Sequence, residues 1–153
     1  MEDLQKLFRF IRIRDKEVWQ LKKLRVMGIN GLAGKGKGSK NAVNSAKLFG
    51  QLNPYFISVD SLTLFPDTEL YRMEQEGRFV PAGEKERLRE LQVFIRNLQI
   101  RTHLFANSSS YFYPVTAYLP KERDFVVSEL QHIMDTVSEE EMAEYRRSLK
   151  SLG

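Results

Sequence analysis

The residues most able to do chemistry stand in one glycine-rich loop. Val26 to Asn30 is an apolar run that leads into Gly31, Gly34, Gly36 and Gly38, interleaved with Lys35, Lys37 and Lys40. Glycines placed where a strand meets its next helix let the backbone approach a ligand closely, because positive φ costs them little and no Cβ intervenes. Gly31, Gly36 and Lys37 satisfy the GxxxxGK spacing of a phosphate-binding loop, and Asp60, after the apolar strand Tyr55 to Val59, can pose as an acidic magnesium partner. The next position should be Ser or Thr to hold the magnesium, and it is Gly38. Ser39 comes one residue too late, which at a helix start rotates the side chain by roughly 100°. The missing hydroxyl counts against a nucleotide triphosphatase. A flexible turn with solvated lysines accounts for the same residues.

The elements that must position this loop form a βαβ unit. Ala42, Val43, Ala46, Phe49 and Leu52 give one helical apolar face, and Asn53-Pro54 ends it. Tyr55 to Phe65 is apolar on both faces, as in a covered parallel strand. Its alternation puts Phe56, Ser58, Asp60, Leu62 and Leu64 on one side, and the polar members mark that side as an inner face. The expectation is parallel strands at 26–31 and 55–64, joined by a right-handed crossover through a helix at 40–52.

Residues 26–137 resemble the second half of the catalytic barrel of the radical SAM iron-sulfur oxidoreductases, in the branch related to the oxygen-independent coproporphyrinogen oxidase and elongator-type proteins. The resemblance is carried by ING-LAG-KGKG, the stretch Asn41 to Ala46, the strand Asn53 to Ile57, the helix start Thr68 to Tyr71, the helix Glu90 to Leu98 and the turn Leu119-Pro120-Lys121. Residues 1–25 do not match. It implies an α/β fold, an incomplete (β/α) barrel fragment with about three strands, covering helices and a C-terminal helical extension. The division it implies is a basic segment at 1–25, a partial barrel at 26–118 and C-terminal helices at 119–153.

By the same resemblance, the parent enzyme uses S-adenosylmethionine (SAM) and a [4Fe-4S] cluster to make a 5′-deoxyadenosyl radical. Ile29 and Gly31 match the central pair of the family's GxIxGxxE strand, while Met27 replaces its first Gly and Gly34 its Glu. Ile29, Gly31, Leu32 and Gly34 are therefore the expected adenine-side contacts. Asp60, Asn107 and Ser108 are the substrate-side candidates, because carboxyl ends of parallel barrel strands surround the active site. No catalytic or metal-ligating residue is assigned. A cluster of this kind is held on three cysteines of a CxxxCxxC loop, and the chain has no cysteine. The expectation is a C-terminal portion of a longer enzyme, by truncation or by cloning, inactive alone and without tightly bound SAM. The competing expectation is a freestanding module that binds phosphate, nucleic acid or protein through its basic N-terminal third.

Charge supports that second class to a degree. Residues 1–40 carry eleven Lys and Arg against four acids, and residues 41–153 carry thirteen against sixteen, which together give the net +4. Lys35, Lys37 and Lys40 can attract a polyanion, although no aromatic stacking platform accompanies them in sequence. His103 and His132 lack metal-ligand spacing. With 153 residues and 42% hydrophobic content the chain suits one domain. No apolar run approaches the roughly 20 residues that span a bilayer, and Arg9, Arg12 and Arg14 interrupt the only apolar N-terminal stretch, so the expected compartment is the cytoplasm.

Further helices are expected at 2–13, at 15–24, from an Asp67 cap to Gly77, around Leu88 to Leu98, after Pro120 with Val126, Leu130, Ile133 and Val137 inward, and from a Ser138/Glu141 capping box to Leu149. Thr102 to Asn107 reads as a strand and Ser108 to Thr116 as a loop. A half barrel leaves the edge of its first strand and its inner face open, which favours a homodimer. A first helix with Leu4, Leu7, Phe8 and Ile11 as its contact face is the competing cover.

Overall fold

A computed structural model describes residues 24–150. The helix expected at 2–13, and that expected at 15–24 up to residue 23, lie outside the described residues; Leu24 is described and is not helical. The fold is α/β: a four-stranded open sheet with five helices. In chain order these are β1 (Arg25–Asn30), α1 (Gly38–Leu52), β2 (Phe56–Ser61), α2 (Glu69–Gln75), α3 (Glu84–Asn97), β3 (Thr102–Ala106), β4 (Val115–Leu119), α4 (Arg123–Thr136) and α5 (Glu139–Lys150).

The βαβ unit forms where the residues require it. α1 ends at Asn53, whose φ of 46° is left-handed and whose N–H closes on the Phe49 carbonyl, and Pro54 follows. The chain then turns back beside its own start: the Leu24 carbonyl accepts from Tyr55 N at 3.0 Å and Phe56 N at 3.3 Å. From there β2 runs parallel to β1, with Arg25 opposite Phe56 and Ile29 opposite Asp60. β3 joins β2 in parallel, and strand order follows chain order.

β4 corrects the expectation of about three strands. Val115 to Leu119 pairs antiparallel with β3, Thr102 opposite Leu119, so the sheet is mixed. The stretch Ser108 to Thr116 is a loop only as far as Pro114. In VTAYL, Val115, Ala117 and Leu119 are buried and Thr116 and Tyr118 exposed, the alternation of a half-covered antiparallel strand. Two smaller corrections concern ends. β2 stops at Ser61, and Leu64 leaves the strand's alternation to be buried in the following loop. Thr68, not Asp67, caps α2 by accepting Tyr71 N, and Gly77, at φ 71°, follows that helix as expected.

α1, α3, α4 and α5 cover one face of the sheet, while α2 buries no residue. Ile57, Val59, Leu104, Ala106, Ala117 and Leu119 from the strands meet Ala46 and Phe49 of α1, Leu88, Leu91, Phe94 and Ile95 of α3, Leu130 and Met134 of α4 and Met142 of α5 in one core. The two C-terminal helices thus belong to the same core as the sheet. Each fully buried Leu or Ile contributes about 1.5 to 3 kcal/mol by transfer from water. No described helix is long and apolar enough to cross a membrane.

Candidate functional site

The other face of the sheet carries no described element. Parallel pairing puts Arg25, Met27 and Ile29 of β1 beside Phe56, Ser58 and Asp60 of β2, and these beside His103 and Phe105 of β3. Thr116 and Tyr118 of β4 complete the face. Ser58 and Asp60 lie on it as the alternation requires, while Ile57, Val59 and Ser61 point to the core. Met27 is 68% and Ile29 45% exposed, unusual values for strand residues of these types. β1 is an edge strand, paired only with β2 among the described residues.

The face divides along the strands. Its amino-terminal half is aromatic: the Arg25 guanidinium lies 5.4 Å from the Phe56 ring centre, and Phe56 stacks on Phe105 at 4.6 Å with 19° between planes. Tyr55, His103 and Tyr118 continue the set, at 5.1 and 4.9 Å between neighbouring rings. His103 is therefore held between two tyrosines. Its carboxyl half is a strip of Met27, Ile29, Ser58 and Asp60 that runs up to Gly31. No hydrogen bond to the Asp60 side chain occurs among the described residues.

The glycine loop is folded by carboxylates of α3. Gly31, Gly34 and Gly36 all have positive φ, at 86°, 81° and 77°. Gly31 N donates to Glu90 Oε2 at 2.8 Å and Gly36 N to Glu86 Oε1 at 2.6 Å. Glu90 Oε1 accepts from Asn41 Nδ2 at 2.8 Å. Gly34 N, Lys35 N and Lys37 N bond the carbonyls of Gly31, Val80 and Gly34. A Cβ on Gly38 would lie 3.1 Å from Glu90 Oε2, so the carboxylate sits against the start of α1, where the helix dipole favours an anion. Five amides of the loop, those of Gly31, Gly34, Lys35, Gly36 and Lys37, are thus occupied from within. Burial raises the pKa of Glu90, and its hydrogen bonds from Asn41 and Gly31 oppose that shift.

Of the adenine-side residues, Ile29 lies on the open face, whereas Gly31 is buried, with the Leu62 and Arg87 side chains 3.5 Å from where its Cβ would stand. Leu32 is 52% exposed. Gly34 is buried against Phe79 and Val80, apart from Ile29 in its contacts. Of the substrate-side residues, Asp60 lies opposite Ile29, Asn107 is exposed just past β3, and Ser108 Oγ pairs with Ser110 Oγ at 2.6 Å. Ser110 Oγ in turn accepts from Ser61 N at 2.9 Å, which ties the loop after β3 to the end of β2. His132 is exposed on α4.

Sequence reasoning missed the buried polar cluster beneath these strand ends. Arg146 of α5 donates to both oxygens of Glu84, at 2.6 and 3.0 Å, to Ser61 Oγ at 2.9 Å, to the Leu62 and Ser110 carbonyls at 3.0 and 2.7 Å, and to Thr63 Oγ1 at 3.0 Å. All five of its N–H donors are used. Arg87 donates to the Ala82 carbonyl at 2.9 Å and to the Leu62 carbonyl, and its pKa is lowered by burial and then by Arg146. Asn30 donates to the Tyr111 hydroxyl at 2.9 Å. The cluster borders a cleft of about 240 Å³ lined by Leu62, Leu64, Glu74, Pro81 and Arg147. With every donor of Arg146 in use, its guanidinium clamps the strand ends together. The signal in sequence is that Glu84, Arg87 and Glu90 fall three apart, in step with Leu88 and Leu91 on the inward stripe of α3.

No family model, curated protein or solved structure matches the chain. The functional reading therefore rests on the open face and its chemistry.

Proposed function

We propose that this chain is the carboxyl-terminal wall of a partial (β/α) barrel of the radical SAM type, and that the carboxyl half of its open face receives the adenosyl part of SAM. The observation that carries this reading is the exposed apolar strip of Met27 and Ile29, which runs toward the carboxyl end of a parallel run of three strands. Ligands of parallel α/β sheets and barrels lie at that end. A flat apolar strip suits one face of an adenine ring. Asp60, across from Ile29 and without a hydrogen-bond partner among the described residues, supplies an acceptor for a ribose hydroxyl or the adenine amino group.

The residues do not fit a [4Fe-4S] cluster. Its ligands are thiolates and this sequence has none, so no step of SAM cleavage is assigned to these side chains. The cysteines of such a site would belong to polypeptide other than these 153 residues. Alone, the chain offers SAM one wall, and with the opposite contacts missing the expected affinity is weak, about millimolar or about 4 kcal/mol. The cytoplasm is the compartment that suits such an enzyme. Calorimetry with SAM tests the reading: weak heats abolished by Ile29→Lys are expected, and tight stoichiometric binding by the isolated chain would overturn it.

The phosphate-binding form of the alternative module finds two of its loop amides, those of Gly31 and Gly36, already engaged by Glu90 and Glu86. A homodimer built on the β1 edge remains a proposal of the same reading, since an open edge strand pairs readily with another chain.

A further inference from the structure

The aromatic half of the open face takes no part in the adenosyl reading. Stacked rings of Phe56 and Phe105 and the row Tyr55, His103 and Tyr118 form an aromatic band across β2, β3 and β4, with Tyr55 50% and Tyr118 39% exposed. Such a band calls for a cover. We propose that the cover is the chain's own residues 1–23, docked across the amino-terminal half of the open face.

Three observations select this occupant. The first is where the segment joins the sheet. Residue 23 leads into Leu24, whose carbonyl is bonded to Tyr55 N and Phe56 N, and Arg25 follows with its guanidinium on the Phe56 ring. The segment therefore enters at the band itself. The second is reach. Residues 1–23 span about 34 Å even if fully helical, whereas four strands are only about 14 Å across. The third is chemistry: Leu4, Leu7, Phe8 and Ile11 recur at three- and four-residue intervals among arginines and lysines, which gives an apolar stripe for the rings and cations for water.

A second copy of the chain is the rival cover, and the linkage decides against it. A segment attached next to its site acts at an effective concentration in the millimolar range, far above a second copy at micromolar concentration. The proposal does not depend on SAM binding, which concerns the other half of the face.

The only tryptophan of the chain, Trp19, lies within the segment and reports its environment. In the full chain, Trp19 is expected to emit at blue-shifted wavelength and to resist acrylamide quenching, unchanged between 1 and 100 µM protein. Phe8→Asp, which alters only the segment, and Tyr118→Ser, at an exposed edge position, should each raise the quenching constant at least twofold, with far-UV circular dichroism of the remainder retained. A Trp19 that is fully solvent-exposed in the unmodified chain would overturn the proposal. So would shielding that survives both substitutions, or shielding lost on dilution together with a dimer in sedimentation. SAM titration of the same samples reads the adenosyl proposal separately.

Discussion

Glu90 of α3 and Gly31 at the end of β1 meet across the fold: the carboxylate Oε2 accepts the glycine amide at 2.8 Å. With Asn41 on its other oxygen and the start of α1 beside it, Glu90 supplies internally the negative charge that glycine-loop architectures normally take from a ligand. The loop is thereby fixed as a support for the adjoining strand end.

Replacing Glu90 tests this support. Glu90→Gln keeps the volume but presents an amide NH₂ to one of the two donors, and a loss of about 1 to 3 kcal/mol is expected from the unsatisfied group. The pH dependence carries the sign of a raised carboxyl pKa. Between the ordinary value of 4.5 and the raised folded value, the folded state binds the extra proton. The contribution of Glu90 is therefore fully present below pH 4.5 and declines as pH rises through the folded pKa. The stability difference between the parent chain and Glu90→Gln, from urea midpoints, should fall on going from pH 4 to pH 7, and a difference that grows over that range would contradict it.

Arg146 and Glu84 make the second test. Both are buried and separated by 62 positions in sequence. Removing one partner leaves an uncompensated charge, so Arg146→Ala should cost about 3 to 5 kcal/mol. The paired change Arg146→Met with Glu84→Met should recover most of that loss. Equal destabilisation by single and double variants in denaturant unfolding would show that the clamp is something other than this ion pair.

Gly34 makes the third. Its φ of 81° strains any side chain, and a Cβ there would stand 3.0 Å from the Val80 carbonyl and 3.1 Å from the Phe79 ring, so these neighbours would have to give way. Gly34→Ala is expected to lower stability by at least about 1 kcal/mol, while Gly36→Ala, with open space around it, should cost only the backbone term. Equal costs in thermal or urea unfolding would remove the packing argument.

The legible parts of the fold were those written locally. An apolar run ending in glycines, an apolar helical face and Asn53-Pro54 specify β1, α1 and β2 within some forty residues, and Ser138 accepting Glu141 N at 3.1 Å starts α5 as its spacing predicts. β4 was hidden because its signal is only five alternating residues, set between a hydroxyl-rich aromatic stretch and Pro120. Asp67 and Thr68 are adjacent residues of equal capping chemistry, so only geometry separates them. The site divides in the same way. Ile29 opposite Asp60 follows from strand alternation and parallel register. Glu86 and Glu90 reach the loop from α3, about fifty residues away, and charged residues of a helix read as solvent-facing until the fold turns them inward. The aromatic band spans β2, β3 and β4, and no stretch of sequence contains it.

Titration of the methyl-labelled 153-residue chain with adenosine, followed by NMR, tests most directly whether the open strip receives an adenosyl group. Millimolar adenosine is expected to shift the Met27 and Ile29 methyl signals and the Gly31 amide, Asp60→Ala to weaken the effect several-fold, and inorganic phosphate at the same concentration to leave these signals in place. Signals of Met27 and Ile29 that stay fixed while Lys35 to Lys40 respond to phosphate would contradict it.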